Sequence, residues 1–171
     1  MDPLQHLIAC LRGGNKILIC GNGGSSAQAS HFAAELVVRY AENRRALPCI
    51  ALNDPAILTA CGNDFGFEQV FARQVDAYGQ NGDVLIAIST SGKSKNVLRA
   101  IEEAWRRDIH VLALTGPDGL SPELITIRSL QPPQFYVTVL RSPGSSTAAI
   151  QEHQMKKLHT WALEIEKAYL P

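Results

Sequence analysis

Two short turns rich in glycine and hydroxyl side chains hold much of this chain's chemical potential. Gly21-Asn22-Gly23-Gly24-Ser25-Ser26 follows the apolar run Ile17-Leu18-Ile19-Cys20, and Ser89-Thr90-Ser91-Gly92-Lys93-Ser94 follows Val84-Leu85-Ile86-Ala87-Ile88. A turn of this kind, passing a strand to a helix, offers backbone N–H and side-chain O–H donors to an anion. The helix N-terminus adds its partial positive charge. One N-cap needs a single hydroxyl, whereas a phosphate presents three terminal oxygens. The cluster Ser89, Thr90, Ser91 and Ser94 is therefore read as a phosphate site. The plainer reading, a tight turn with capping serines, stays open for either turn alone. Nucleotide signatures fail on both: Ser26 stands where a dinucleotide fingerprint needs its third glycine, and Ala87 where a P-loop needs its first.

A second set of candidates is acid–base in character. His31 and Glu35 are four residues apart, so on a helix they share one face and can reach one ion or one substrate. Glu35 sits among Phe32, Ala33, Ala34, Leu36, Val37 and Val38, and a carboxylate buried there needs a partner or a raised pKa. Taken alone, His31 reads equally as a helix-face histidine without a duty. His159 reads as a rim residue beside the stripe Leu158, Trp161, Ala162 and Ile165. Asp64, in a glycine-bounded segment, is explained by turn chemistry alone. Arg39, one turn beyond Glu35, pairs with that carboxylate, contacts substrate, or is simply solvated.

The elements that must position these residues alternate. The pattern predicts helices over 3–12, 27–40, 54–61, 67–78, 95–107 and 148–168. Strands are expected over 16–20, 48–52, 84–88, 109–114 and 135–140. Gly62 to Gly66 reads as a turn, and the proline-containing stretch 117–134 as a surface excursion. Near-continuous apolar strands separated by helices imply a three-layer α/β/α, doubly wound, mainly parallel five-stranded sheet in a single domain over 1–171. In that arrangement ligands bind at the strands' carboxyl ends, where both turns fall.

Composition narrows the class. Of 171 residues, 46% are hydrophobic and 19% charged, and sixteen basic side chains balance sixteen acidic ones. Broad electrostatic capture of nucleic acid or an anionic membrane is not expected. No apolar run approaches the ~20 residues that span a bilayer. The first residues lack the basic flank and cleavage site of a secretory signal, so a cytoplasmic protein is expected. Cys10, Cys20, Cys49 and Cys61 form no C-x-x-C pair and read as buried, reduced thiols.

The ordered set of motifs resembles a known family. Beyond the two turns it includes His31-Phe32-Ala33-Ala34-Glu35-Leu36, Gly62-Asn63-Asp64-Phe65-Gly66-Phe67, Gly82-Asp83-Val84-Leu85, Leu114-Thr115-Gly116, Ile150-Gln151-Glu152 and His159. From about Gly13 onward the chain is similar to the sugar isomerase (SIS) domain of phosphosugar-binding proteins, and within it to the bacterial phosphoheptose isomerases. The resemblance implies conversion of sedoheptulose 7-phosphate to D-glycero-D-manno-heptose 7-phosphate for lipopolysaccharide-core or other heptose-containing glycans. It implies Glu35 as the base between C1 and C2 and His159 as its acid–base partner. It implies zinc held by His31, Glu35, Gln151 and His159. Substrate and phosphate contacts fall on Asn22, Ser25, Asp64, Ser89, Thr90, Ser91, Ser94 and Gln151.

The partner implied is a phosphorylated sugar, in a homo-oligomer (tetramer or dimer). Gln151 and His159 are eight residues apart, a rise of ~12 Å on a helix. Either Gln151 sits at a frayed helix start or one ligand crosses from a neighbouring subunit; a site completed between subunits is the expectation.

The chain departs from the family pattern in several places. Its first strand begins by residue 16, so the N-terminal helical region is short. Lys93 replaces an asparagine, Ala149 an arginine, and Gln154 a histidine, with His153 beside it. Two other functions share these motifs: a non-catalytic SIS-domain protein that regulates the replication initiator, and an isomerase of another phosphosugar. The initiator-binding branch characteristically lacks the C-terminal histidine, so His159 favours the enzyme.

Overall fold

Apolar runs buried along nearly their whole length build the sheet. The structure, a computed structural model, describes residues 2–122 and 137–170. Strands β1 (Ile17–Gly21), β2 (Cys49–Ala51), β3 (Val84–Ser89), β4 (His110–Thr115) and β5 (Val137–Arg141) lie in the order β2-β1-β3-β4-β5. Every neighbouring pair is parallel. Side chains alternate between faces, so each strand feeds two cores. Ile17, Ile19, Val84, Ile86 and Ile88 pack under helices α1 (Pro3–Arg12), α2 (Gly24–Val37) and α6 (Thr147–Tyr169). Leu18, Cys20, Leu85, Ala87 and Val111 pack under α3 (Pro55–Phe65), α4 (Ala72–Tyr78) and α5 (Lys95–Arg106). Each fully buried aliphatic side chain contributes about 1.5–3 kcal/mol of burial free energy. This is the expected doubly wound three-layer architecture.

The strand order reverses between β1 and β3. In open parallel sheets that switch point leaves a crevice at the carboxyl ends, because the two connections leave toward opposite edges. The turn after β1 and the turn after β3 flank this crevice.

Element boundaries differ from the sequence pattern in instructive ways. Helix α2 begins at Gly24 rather than Ala27, because Gly23 adopts φ 53° and turns the chain at once into the helix. It ends at Val37 rather than Tyr40. Helix α3 continues to Phe65, so Gly62, Asn63 and Asp64 form its last turn rather than a loop. It starts where Asp54 accepts from Ile57 N–H at 3.0 Å with Pro55 following, and Gly66 at φ 88° stops it. The expected helix over 67–78 is two pieces, a 3₁₀ turn Phe67–Gln69 and then α4. Most of the excursion expected at 117–134 lies outside the described residues, as do residues 135 and 136 of the last expected strand.

All four cysteines are buried and free, and burial pushes the Cys10 and Cys20 thiols up to about 12. Among the described residues, no helix is long and apolar enough to cross a membrane.

Candidate functional site

At the second turn the hydroxyls do not act as helix caps. Ser94 is the N-cap residue of α5 yet makes no side-chain bond to the helix. Instead Ser89 Oγ donates to Ser94 Oγ at 3.1 Å, and Ser91 Oγ accepts from Lys93 N–H at 3.2 Å. Ser89 is buried, Thr90 and Ser94 half-buried, and Ser91 exposed. Gly92 gives the turn its shape: its φ is 65°, and a Cβ there would stand 1.8 Å from the Gly119 carbonyl oxygen. The segment Gly116–Ser121 is laced onto this turn, with Gly116 N–H donating to Thr90 O at 3.0 Å and Ser121 N–H to Gly92 O at 2.9 Å.

The first turn is tied to the second by a pair of carboxamides. Asn22 Nδ2 donates to Asn96 Oδ1 at 2.9 Å, and Asn96 Nδ2 donates back to Asn22 Oδ1 at 2.8 Å. Asn96 also accepts from Val97 N–H at 3.0 Å, supplying the cap that Ser94 does not. Ser25 is buried in the first turn of α2, with Gln151 Nε2 at 3.5 Å from its hydroxyl. Gln151 lies so close to Gly24 that a Cβ there would approach its Nε2 to 2.6 Å. Its own carbonyl accepts from Gln28 Nε2 at 2.7 Å. Helix α6 starts at Thr147, with Ser146 accepting from Ala149 N–H, so Gln151 is well inside the helix and the frayed-start alternative falls.

Eight residues further along α6, His159 meets α2. The apolar stripes Phe32, Leu36 and Leu158, Trp161, Ala162, Ile165 share one core and set the two helices against each other. His31 Nε2 stands 2.9 Å from Glu35 Oε1, His159 Nε2 is 3.4 Å from the same oxygen, and the two Nε2 atoms are 3.2 Å apart. All three residues come from one chain. Two imidazole nitrogens and a carboxylate oxygen aimed at each other cannot all be satisfied by one proton; a cation would satisfy them together. Glu35 Oε2 is buried and has no hydrogen-bond partner among the described residues. Burial raises the Glu35 pKa, with Glu166 adding to the rise and His159 and His31 opposing it.

Asp64 is not part of this gathering within the chain. It is exposed at the end of α3 and accepts from Asn63 Nδ2 at 2.8 Å. Arg39 is exposed and makes no ion pair among the described residues. The arginine that grips this end of α2 is Arg44, whose Nη2 donates to Glu35 O at 2.7 Å. Arg44 in turn lies against Glu166, 3.9 Å from Nε to Oε2, with both side chains buried. Asn96, Arg44 and Glu166 were not anticipated from sequence. Glu166 carried a readable signal: like Glu35, it is a carboxylate inside an apolar helical stripe.

A family model described as SIS domain matches residues 4–116. A phosphoheptose isomerase of Shewanella sediminis is 44% identical over 169 residues, covering 98% of this chain and 82% of that protein. The solved structure of a phosphoheptose isomerase from Neisseria gonorrhoeae superposes with a TM-score of 0.80 at 42% identity, covering 96% of this chain and 83% of that one. One from Francisella tularensis gives 0.85 at 38% identity, with coverage of 96% and 83%. This chain belongs to the SIS-domain family, among its phosphoheptose isomerases.

Proposed function

We propose that this protein isomerises sedoheptulose 7-phosphate to D-glycero-D-manno-heptose 7-phosphate, feeding the synthesis of heptose-containing glycans. The observation that supports this most is the meeting of His31, Glu35 and His159 on one carboxylate oxygen, in a chain that also carries a turn of hydroxyls not spent on capping its helix. Ser89, Thr90, Ser91 and Ser94, with the N-terminus of α5, hold the phosphate. Asn22, Ser25, Gln151 and Asp64 are assigned to the sugar, Asp64 reaching it from a neighbouring copy of the chain. Exposed Phe65 and Phe67 beside Asp64, and Val37 and Val38 beside the site, favour a homo-oligomer, a dimer or tetramer. The protein is taken to act in the cytoplasm as one SIS unit.

The reaction moves two hydrogens. Glu35 removes a proton from C1 of the ketose as the C2 carbonyl oxygen gains one, giving the enediol. The O1 proton then leaves, C1 becomes the aldehyde carbon, and Glu35 returns its proton to C2. His159 exchanges the protons on O1 and O2. A raised pKa suits Glu35 to this duty, since a base must also give its proton back.

The residues present fit a zinc ion. Around a tetrahedral zinc with bonds of ~2.0–2.1 Å, ligand atoms stand about 3.3 Å apart; the three separations here are 2.9, 3.2 and 3.4 Å. His31, Glu35 and His159 would hold it; Gln151 lies against Gly24 and Ser25 within the chain, so as a fourth ligand it would have to come from a neighbouring copy. Bound there, zinc would polarise the sugar's carbonyl and stabilise the developing oxyanion. The direct test is incubation with sedoheptulose 7-phosphate, with and without added zinc, and detection of the aldose. Product formation that a chelator abolishes supports the whole reading. Tight binding of the ketose without turnover refutes it.

A further inference from the structure

The buried pair Arg44–Glu166 borders the candidate site and touches no side chain assigned to substrate or metal, only the backbone of Glu35. Glu166 is 1% exposed, yet its carboxylate is fully engaged. Oε2 accepts from Tyr40 N–H, and Oε1 from Ala41 and Glu42 N–H, each at 2.9 Å. Burial alone would raise its pKa, but these three backbone donors and the Arg44 guanidinium hold it below the ordinary carboxylate range. Arg44 spans outward from this anchor to the carbonyl oxygens of Glu35 at 2.7 Å and Arg45 at 2.9 Å. The 40–42 turn that Glu166 grips presents Tyr40, whose ring centroid lies 5.9 Å from that of His159. Glu166 itself is seven residues beyond His159 on α6, hence on nearly the same helix face.

We propose that Glu166 and Arg44 are positioning residues: a buried ion pair that fixes the backbone of Glu35 at the end of α2 and lays Tyr40 against His159. The inference rests on the reading of Glu35 and His159 as the reacting pair. Stability alone is a poor account of such a pair, because the desolvation of two buried charges consumes most of their attraction. What the pair uniquely supplies is direction. Three amides and the carbonyls of Glu35, Val38 and Arg45 are held by two side chains, and an acid–base pair misplaced by ~1 Å can lose about 100-fold in rate.

The test compares Glu166→Gln, Arg44→Lys and Glu35→Gln with the unaltered protein, all well below their melting temperatures. Glutamine puts an NH₂ against backbone N–H donors; lysine keeps the cation but loses the fork onto Glu35 O. For both positioning variants the expected result is kcat down at least 10-fold with KM for sedoheptulose 7-phosphate within threefold. Zinc affinity, read by chelator competition, should fall at least 10-fold, since Glu35 is no longer held. Addition of the partner-sparing Glu166→Asp should restore part of kcat, because charge is kept and only reach is lost.

A folded Glu166→Gln protein with kcat and zinc affinity both within twofold of wild type overturns the proposal, even if its melting temperature drops. Should that variant not fold, Arg44→Lys decides by the same criteria; if neither folds, the pair is a folding element and the proposal is overturned. Failure of the functional reading looks different: Glu35→Gln then stays active, or the unaltered protein does not turn the sugar over.

Discussion

Ser94→Ala separates a phosphate-binding turn from an ordinary helix cap. A capping serine replaced by alanine costs about 1 kcal/mol of stability, which for a protein of this size lowers the melting temperature by about 2–4 °C. Ser94 makes no bond to the amides of α5; its hydroxyl faces Ser89 at 3.1 Å, and Asn96 caps the helix instead. The substitution therefore leaves the melting temperature nearly unchanged. A hydroxyl that donates to a phosphate dianion is worth about 1.5–3 kcal/mol, so its loss weakens binding by roughly 10- to 150-fold. The phosphate tail is remote from C1 and C2, so kcat at saturation should fall less than about threefold while KM rises. Calorimetric titration with sedoheptulose 7-phosphate, inorganic phosphate as the minimal probe, and a thermal melt read all of this. A melting temperature lowered by several degrees with unchanged affinity would refute the argument and return Ser94 to a capping role.

Three further perturbations follow from the geometry. Gly92→Ala combines a φ of 65° with a Cβ 1.8 Å from Gly119 O, so it should displace the 116–121 segment, lower the melting temperature by several degrees and cost phosphosugar affinity; a thermal melt and a binding curve at wild-type values would refute the tight approach. Asn96→Leu, isosteric with the buried amide but without its bonds to Asn22, should uncouple the two turns; a KM raised at least 10-fold in steady-state kinetics is expected, and an unchanged KM counts against the coupling. At the opposite end of the sheet His110 stacks on His6 at 3.9 Å, and burial, followed by the charges of His6 and the N-terminus, lowers its pKa to about 4. A histidine depressed in the folded state gives stability that is present above the unfolded pKa of 6.5 and lost as pH falls toward about 4. The full linkage would be about 3 kcal/mol, less after screening at this half-buried position. Urea unfolding at pH 7, 5.5 and 4.5 should show a steeper acid loss for wild type than for His110→Phe; parallel curves would remove this group from the acid limb.

Periodicity made the layered sheet readable because buried parallel strands are written as continuous apolar runs, and β1, β3 and β4 have little other meaning. Boundaries were harder wherever backbone conformation outweighed propensity. Gly62 and Asn63 look like a turn, yet helix α3 carries them because Asp54 and Pro55 start it firmly and Gly66 ends it. Within the site, Glu35 was legible because a carboxylate among alanines, leucine and valines demands a partner. The partner itself was not derivable from spacing: His159 is 124 residues further on, and only the packing of α6 on α2 brings them to 3.4 Å. Asn96 and Arg44 act through a carboxamide pair and through carbonyl oxygens, contacts that leave no pattern in a sequence. The expected four-residue metal set was partly spatial: three of its members meet in one chain, while Gln151 lies against Gly24 and Ser25.

The most direct measurement is turnover and binding by Glu35→Gln, with zinc content measured in parallel. Removing a positioned base typically costs 10²- to 10⁴-fold, so kcat for sedoheptulose 7-phosphate should fall by at least about 100-fold. The dissociation constant, governed by the hydroxyl turns, should stay within threefold of wild type. A zinc-loaded Glu35→Gln protein that keeps more than a tenth of the wild-type kcat would contradict the account.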